Sequence, residues 1–269
     1  MKSFLHNLGL DHLTAHDMEK ICAYAMEHGM AFRGYEKKYH YACFGNSEIS
    51  FRMSPTAWEG NTPTEFTPCG YDVSFRSRTC WDGEVMGRLE LSDDPDACCI
   101  EMMPDADKAW RVPVTLMHPD VLPSLSPGDT MMAELSGLAL NVGRRQNLTF
   151  SVDRGPFYEM ELARFLEDNP GKTPDDFKAP SISTEGFCGT FPTGSTCFWQ
   201  ISAPVQEVEV VEFAGKSFLR ILMPIARTAD EEDMLAYIYA DKEKYGDLAL
   251  APGDDIDCHV WLCADLCRA

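Results

Sequence analysis

One short pattern occurs twice, 125 positions apart, and it restricts what this chain can fold into. Leu250 to Leu266 opens with a Pro252-Gly253-Asp254 turn and continues as Ile256, Cys258, Val260, Leu262, Ala264 and Leu266, an apolar residue at every second position. Leu125 to Ala139 has the same form around Pro127, Gly128 and Asp129. Proline and glycine set the turn backbone, and the aspartate closes it with its side chain. A period of two is that of a strand buried on one face. A turn and strand occurring twice predict two related β-rich halves.

Further echoes keep the same order. Cys69-Gly70 answers Cys188-Gly189, Trp81 answers Trp199, Val85 answers Val205, and Met103-Pro104 answers Met223-Pro224. Val112 and Val114 answer Tyr237 and Tyr239, after a drift in offset of about five residues that the acidic run Asp230 to Asp233 can absorb as a loop. Trp81 and Trp199 read as core anchors. Within the repeated strand, Cys258, His259 and Trp261 fall opposite Ala133, Glu134 and Ser136.

Taken in order, residues 11–29 read as a helix, with Thr14 as cap, a stripe of Met18, Ile21, Cys22, Ala25 and Met26, and Gly29 as the stop. Strands follow: Tyr39 to Phe44 and Glu48 to Met53 flank Gly45-Asn46, a hairpin signal. Pro55 to Pro68 reads as a loop, and short strands continue to the first repeated turn. Gly143 to Gln146 is the junction. Phe157 to Leu166 suits either helix or strand, and strands return from Phe187 onward. The expected fold is therefore mainly β: two related small antiparallel barrel-like or sandwich halves behind one N-terminal helix. Its expected divisions are 1–34, 35–143 and 144–269.

Val205 to Phe213 as a long first strand and Leu250 to Leu266 as a last one give each half the look of a small barrel. The pattern resembles the OB-fold or an SH3-like barrel over about 60 to 70 residues per half. Such barrels often bind single-stranded nucleic acid on a basic, aromatic groove. Here the candidate strands carry Glu207, Glu209, Glu212, Asp255 and Asp257. With a net charge of −20, the chain would repel phosphates and anionic lipid, so a basic protein is the expected partner and a membrane is not. No apolar run reaches the ~20 residues of a spanning helix, and the start of the chain lacks a signal-peptide pattern. With eleven cysteines expected to be reduced, the reading is cytoplasmic.

Candidates for chemistry are few. Cys258, His259, Cys263 and Cys267 are zinc-type ligands within ten residues, although a strand points Cys258 and Cys263 to opposite faces. His12 and His16 are spaced to share a helix face. His40, His118 and His259 are possible bases for Cys69, Cys188 or Cys197 as thiol nucleophiles. Asp129 and Asp254 are either paired carboxylates or, with more physical reason, turn closers. Phosphate loops, nucleophile elbows and Cys-x-x-Cys pairs are absent. No cofactor is expected. The leading expectation is a non-enzymatic, acidic protein-interaction module of the inhibitor or immunity type. A metal-dependent or thiol hydrolase with its site between the halves, and a single-stranded nucleic acid binder, are the alternatives.

Overall fold

The structure is a computed structural model that describes residues 16, 31–33, 40–45, 49–59, 62–75, 80–88, 97–105, 108–117, 126–194, 197–213, 215–227 and 233–267. The helix expected over 11–29 lies outside these residues except for His16, which is helical. The helical turn expected after His118 also lies outside them.

The fold is mainly β. A first antiparallel sheet holds β1 (Ala31–Arg33), β2 (His40–Gly45), β3 (Ile49–Glu59) and β4 (Thr62–Phe75) in sequence order. The hairpin at Gly45 is where the sequence places it. The loop expected over Pro55 to Pro68 is instead the continuation of β3 and the start of β4. The β3–β4 register slips at Pro55, Ala57 and Trp58, and such bulges let a strand carry prolines that cannot donate to a ladder.

The remaining long strands form one mixed sheet. They are β5 (Cys80–Arg88), β6 (Ala97–Asp105), β7 (Lys108–Leu116), β8 (Thr130–Arg144), β11 (Gly189–Pro192), β12 (Phe198–Pro204), β13 (Glu207–Phe213), β14 (Lys216–Arg227), β15 (Asp233–Asp241) and β16 (Asp255–Cys267). Each repeat closes a ring. β5, β6, β7, β16 and β8 pair in that order, and β8 pairs back with β5. In the second ring β13, β14, β15, β8 and β16 pair in order, and β16 pairs with β12, which runs into β13 through Val205 and Gln206. What reads as one strand from Val205 is thus the second part of a first strand broken at those two residues.

Each closing strand serves both rings. β8 pairs antiparallel with β5 of its own repeat and parallel with β15 of the other. β16 does the same with β12 and β7. The two run antiparallel to each other from Met132 and Cys267 to Arg144 and Ile256. Gly137 stands opposite Leu262, its own counterpart 125 positions on, so the local twofold axis passes between them.

Burial follows from this exchange. Along Met131 to Glu134, β8 is buried at alternate residues, the period of a wall with one wet face. From Leu135 to Ala139, between the two rings, it is buried at every residue. The core is one cluster that includes Val85, Ile100, Val112 and Val114 of the first repeat and Ile201, Ile221, Ile238, Ile256, Cys258 and Val260 of the second. Trp81 and Trp199 cross the boundary: Trp81 Nε1 donates to the Leu235 carbonyl at 3.3 Å, and Trp199 Nε1 to that of Pro113 at 3.1 Å. They are not positional mates. Trp81 faces Ala133, whose counterpart Cys258 faces Ile201, so Trp199 sits two residues earlier on the same strand face.

The repeated turns match bond for bond. Asp129 Oδ2 accepts from the Ser126 amide at 2.8 Å, and Asp254 Oδ2 from that of Ala251 at 2.7 Å. Val85 N donates to the Asp129 carbonyl at 2.9 Å, as Val205 N does to that of Asp254 at 2.9 Å. The glycines beside these aspartates have φ of 94° and 91°, a region open to glycine and strained for other residues.

Between the rings the chain makes an arm. It comprises β9 (Thr149–Ser151), the helix α1 (Pro156–Asp168), a 3-10 turn at Pro174–Asp176, and β10 (Ser181–Ser183), which pairs with β9. The segment Phe157 to Leu166, ambiguous by pattern, is helical, with Pro156 in its first turn, where a missing N–H costs nothing. A second short helix, α2 (Lys242–Tyr245), follows β15 and is capped by Asp241, whose side chain accepts from the Glu243 amide at 2.9 Å.

Candidate functional site

A polar row crosses the outer wall of the second ring. Gln200 on β12 stands directly opposite His259 on β16, and His259 directly opposite Asn141 on β8. Opposed residues share a sheet face, so the three side chains are neighbours. Next to Asn141, β8 carries one extra residue, Leu140, where the register with β16 slips between His259 and Val260. A bulge of this kind turns two consecutive side chains to one side. Ala139 and Val142 are buried on the core side, while Leu140 and Asn141 face outward. The Leu140 carbonyl, released from the ladder, accepts from Tyr245 Oη at 2.7 Å and Lys244 Nζ at 3.1 Å, which pins the bulge to α2.

These residues floor a groove of about 580 Å³, completed by Thr193, Gly194 and Phe198. Phe198 stacks on Trp261 with centroids 5.6 Å apart and lies tilted against the His259 ring at 6.0 Å. Trp261 is itself locked by its indole N–H, 2.7 Å from Thr115 Oγ1. Thr193 Oγ1 donates to the Phe198 carbonyl at 2.9 Å. His259 Nε2 is buried and has no hydrogen-bond partner. Among the described residues, the side chains of Gln200 and Asn141 make no hydrogen bond either. A buried polar atom without a partner costs about 1–3 kcal/mol.

The first repeat holds the same row with other chemistry. Glu134 on β8, the counterpart of His259, stands between Cys80 on β5 and Asp265 on β16. Its Oε1 accepts from the Cys80 thiol at 3.6 Å, and its Oε2 is buried without a partner. Apart from two nitrogens of Arg145, His259 Nε2 and Glu134 Oε2 are the buried side-chain atoms left unpartnered among the described residues. They occupy equivalent places. A packing accident has no reason to fall on both copies of one position.

The four residues expected to hold zinc are spread along β16. Cys258 lies in the core, where burial pushes its thiol far above the usual range. Cys263 is buried on the opposite side of the strand, its Sγ 3.8 Å from the Trp261 carbonyl. His259 shares a face with Cys263 but lies four residues away, about 13 Å along a strand. The side chain of Cys267 lies outside the described set. Among the described residues no group of three or more His, Cys, Asp or Glu is arranged to hold a metal. His12, His40, His118 and Cys69 also fall outside the described side chains. Cys197 is buried, and Cys188 is half-buried with its Sγ 3.6 Å from the Pro224 carbonyl; burial pushes that thiol up to about 11. Asp129 and Asp254 each close their own turn and do not meet. The boundary between the repeats, where a hydrolase crevice was expected, is occupied by the β8–β16 ribbon.

One charged cluster ties the arm to the barrels. Asp255, its side chain 4 % exposed, accepts from Arg145 Nη2 at 3.0 Å, Asn147 Nδ2 at 2.7 Å and the Gly186 amide at 3.1 Å. Arg145 Nη2 also reaches the carbonyls of Thr184 and Phe187 at 3.1 and 3.2 Å, so both ends of the arm are held at one point.

Fold and site together define a mainly β protein with two strand-exchanged rings and a polar groove on the wall of one. No family model matches the chain, and no curated protein matches it. Among solved structures it is similar to the cytoplasmic molybdate-binding protein ModG in its molybdate-bound form. That match has 12 % identity and a TM-score of 0.28, and it covers 69 % of this chain and 95 % of the other.

Proposed function

We propose that this chain is a non-enzymatic protein-interaction module that uses its arm to dock a basic partner. The observation that carries the reading is the exposure of the arm. None of residues 143–194 is buried, yet the segment holds Leu148, Phe150, Phe157, Met160, Ile182, Phe187 and Phe191, each 41 to 57 % exposed. Val210 is the one other large hydrophobic that exposed among the described residues. Phe150 and Ile182 are directly opposed across β9 and β10, and Leu148 shares their face. Phe187 stacks with Phe191 at 6.3 Å. Exposed apolar surface gathered on one segment in this way marks interaction sites.

The arm has its own internal order. Phe177 packs against Tyr158 and Phe165 of α1 with centroids 5.4 and 5.3 Å apart, so the outward residues Phe157 and Met160 are presented rather than merely loose. Basic character in the partner follows from the net charge of −20 and from the acidic strand β13, whose Glu207, Glu209 and Glu212 are exposed. Such charge accelerates and selects encounter, while the apolar patch supplies the buried area.

A photoreactive residue placed at position 150 tests this. The expected result is a crosslink to a lysine- or arginine-rich protein. With both proteins purified, that complex should form one to one, weaken as salt rises, and weaken at least about tenfold with Phe150→Asp. Equal binding by wild type and Phe150→Asp, or binding indifferent to salt, overturns the reading.

A further inference from the structure

We propose that the groove floored by Gln200, His259 and Asn141 binds an uncharged, planar ring with a hydrogen-bonding amide edge, of the free-nucleobase kind. This site lies on β8, β12 and β16 and takes only Thr193 and Gly194 from the segment 143–194, neither of them among the exposed apolar residues argued above. The argument starts from what the groove lacks. Of its described lining residues, Leu140, Asn141, Thr193, Gly194, Phe198 and Gln200 carry no charge, and His259 is the sole ionisable one. Among the described residues the groove lining offers an anion no cation, since Lys244 at its edge is turned to the Leu140 carbonyl, and an anion would approach a chain of net charge −20. A metal cation would find one imidazole and two carboxamide oxygens, a poor donor set without a carboxylate or thiolate. Asp257, the nearest acid along β16, is turned to Ser202, whose hydroxyl donates to it at 2.6 Å.

What the groove offers points to a neutral ligand. Two carboxamides, each with a donor and an acceptor, flank the His259 ring across neighbouring strands. A lactam edge carries a donor and an acceptor side by side and can engage a carboxamide at two points. Phe198 and Leu140 add apolar wall, and the open groove of about 580 Å³ has room for a ring system. The first repeat sharpens the choice. Its equivalent row is Cys80, Glu134 and Asp265, with two acids, so the second repeat differs from it by bearing neutral amides and an imidazole at the same place.

The test uses the full chain and ligand-observed saturation-transfer NMR with uracil and hypoxanthine as probes. Both should receive saturation, and 1,3-dimethyluracil, which keeps the ring but has no N–H, should not. Benzoate should not bind, and uridine monophosphate should bind more weakly than uracil, which separates a free base from a nucleotide source. Gln200→Leu and Asn141→Leu should each weaken uracil about tenfold while the melting temperature holds. Absence of saturation on either lactam overturns the proposal. So does dimethyluracil binding as well as uracil, tighter binding of the nucleotide or benzoate, or unchanged affinity in the Gln200→Leu protein. The dimethyluracil comparison needs no variant and stands whether or not a substitution perturbs folding.

Discussion

At the scale of single residues, Gly137 is the most constrained position. It sits on the local twofold axis, and a Cβ there would run into Val260 Cγ1 and come within 3.0 Å of Ile238 Cδ1. Val260 is β-branched and stiff, so it cannot swing aside. Gly137→Ala should therefore destabilise the protein by about 1–3 kcal/mol, measured as a shift in chemical-denaturation midpoint. The second of the repeated turns gives a prediction about acid. The Ala251 amide and then the Arg144 guanidinium, 2.5 Å away, hold the Asp254 carboxyl below its usual range. A depressed carboxyl stabilises the fold above its unfolded pKa of about 3.9 and loses that effect as pH falls through the folded value. Asp254→Asn should thus melt lower than wild type at pH 6, and the two melting curves should converge in acid. Thiol reactivity provides a third check. In peptide-mapped alkylation of the native protein, among the described cysteines Cys80 should label first, Cys99 and Cys188 slowly, and Cys197, Cys258 and Cys263 only after unfolding.

At the scale of elements, the arm and the ribbon depend on Asp255. Removing its carboxylate would leave the Arg145 guanidinium, 12 % exposed, without its ionic partner. Asp255→Ala should cost about 3–5 kcal/mol and expose residues 148–184 to limited proteolysis. The strand pattern of β8 and β16 was legible because a turn motif with a period of two needs no partner to be recognised. The hairpin at Gly45 and the turn-closing role of Asp129 and Asp254 were legible for the same local reason. Strand partnership was not. Alternation tells which residues face inward, but not which ring they face, so the sharing of β16 between β12 and β7 left no mark beyond the fully apolar stretch around Leu138. The prolines at 55, 63 and 68 suggested a loop because register slips that tolerate them are a property of the pairing, not of the residues. The groove was half legible. His259 stood out as a possible ligand and was aligned with Glu134. Its true neighbours Gln200 and Asn141 lie on other strands and carry no motif.

At the scale of the whole molecule, the exchange of closing strands makes the repeats mutually dependent. Residues 145–269 expressed alone would keep β12 to β16 but lack β8, leaving an unpaired edge on both β15 and β16. Because β8 and β16 are counterparts, a second copy of β16 can take the vacant place. That fragment should accordingly appear as a dimer or an aggregate in sedimentation, and a folded monomer would contradict the strand-exchanged topology. Among the described residues no helix is long and apolar enough to cross a membrane.

The same exchange fixes the order of events during synthesis. The first ring pairs Thr115 with Cys263, and the Met117 amide donates to the Ala264 carbonyl at 2.9 Å. That ring cannot close until β16 has left the ribosome, even though its other four strands are complete by Arg144. Through the intervening period β7 and β8 present open edges to the cell. The nascent chain is thus most exposed to misassembly while the arm and the second repeat are being made, and its first half is finished last.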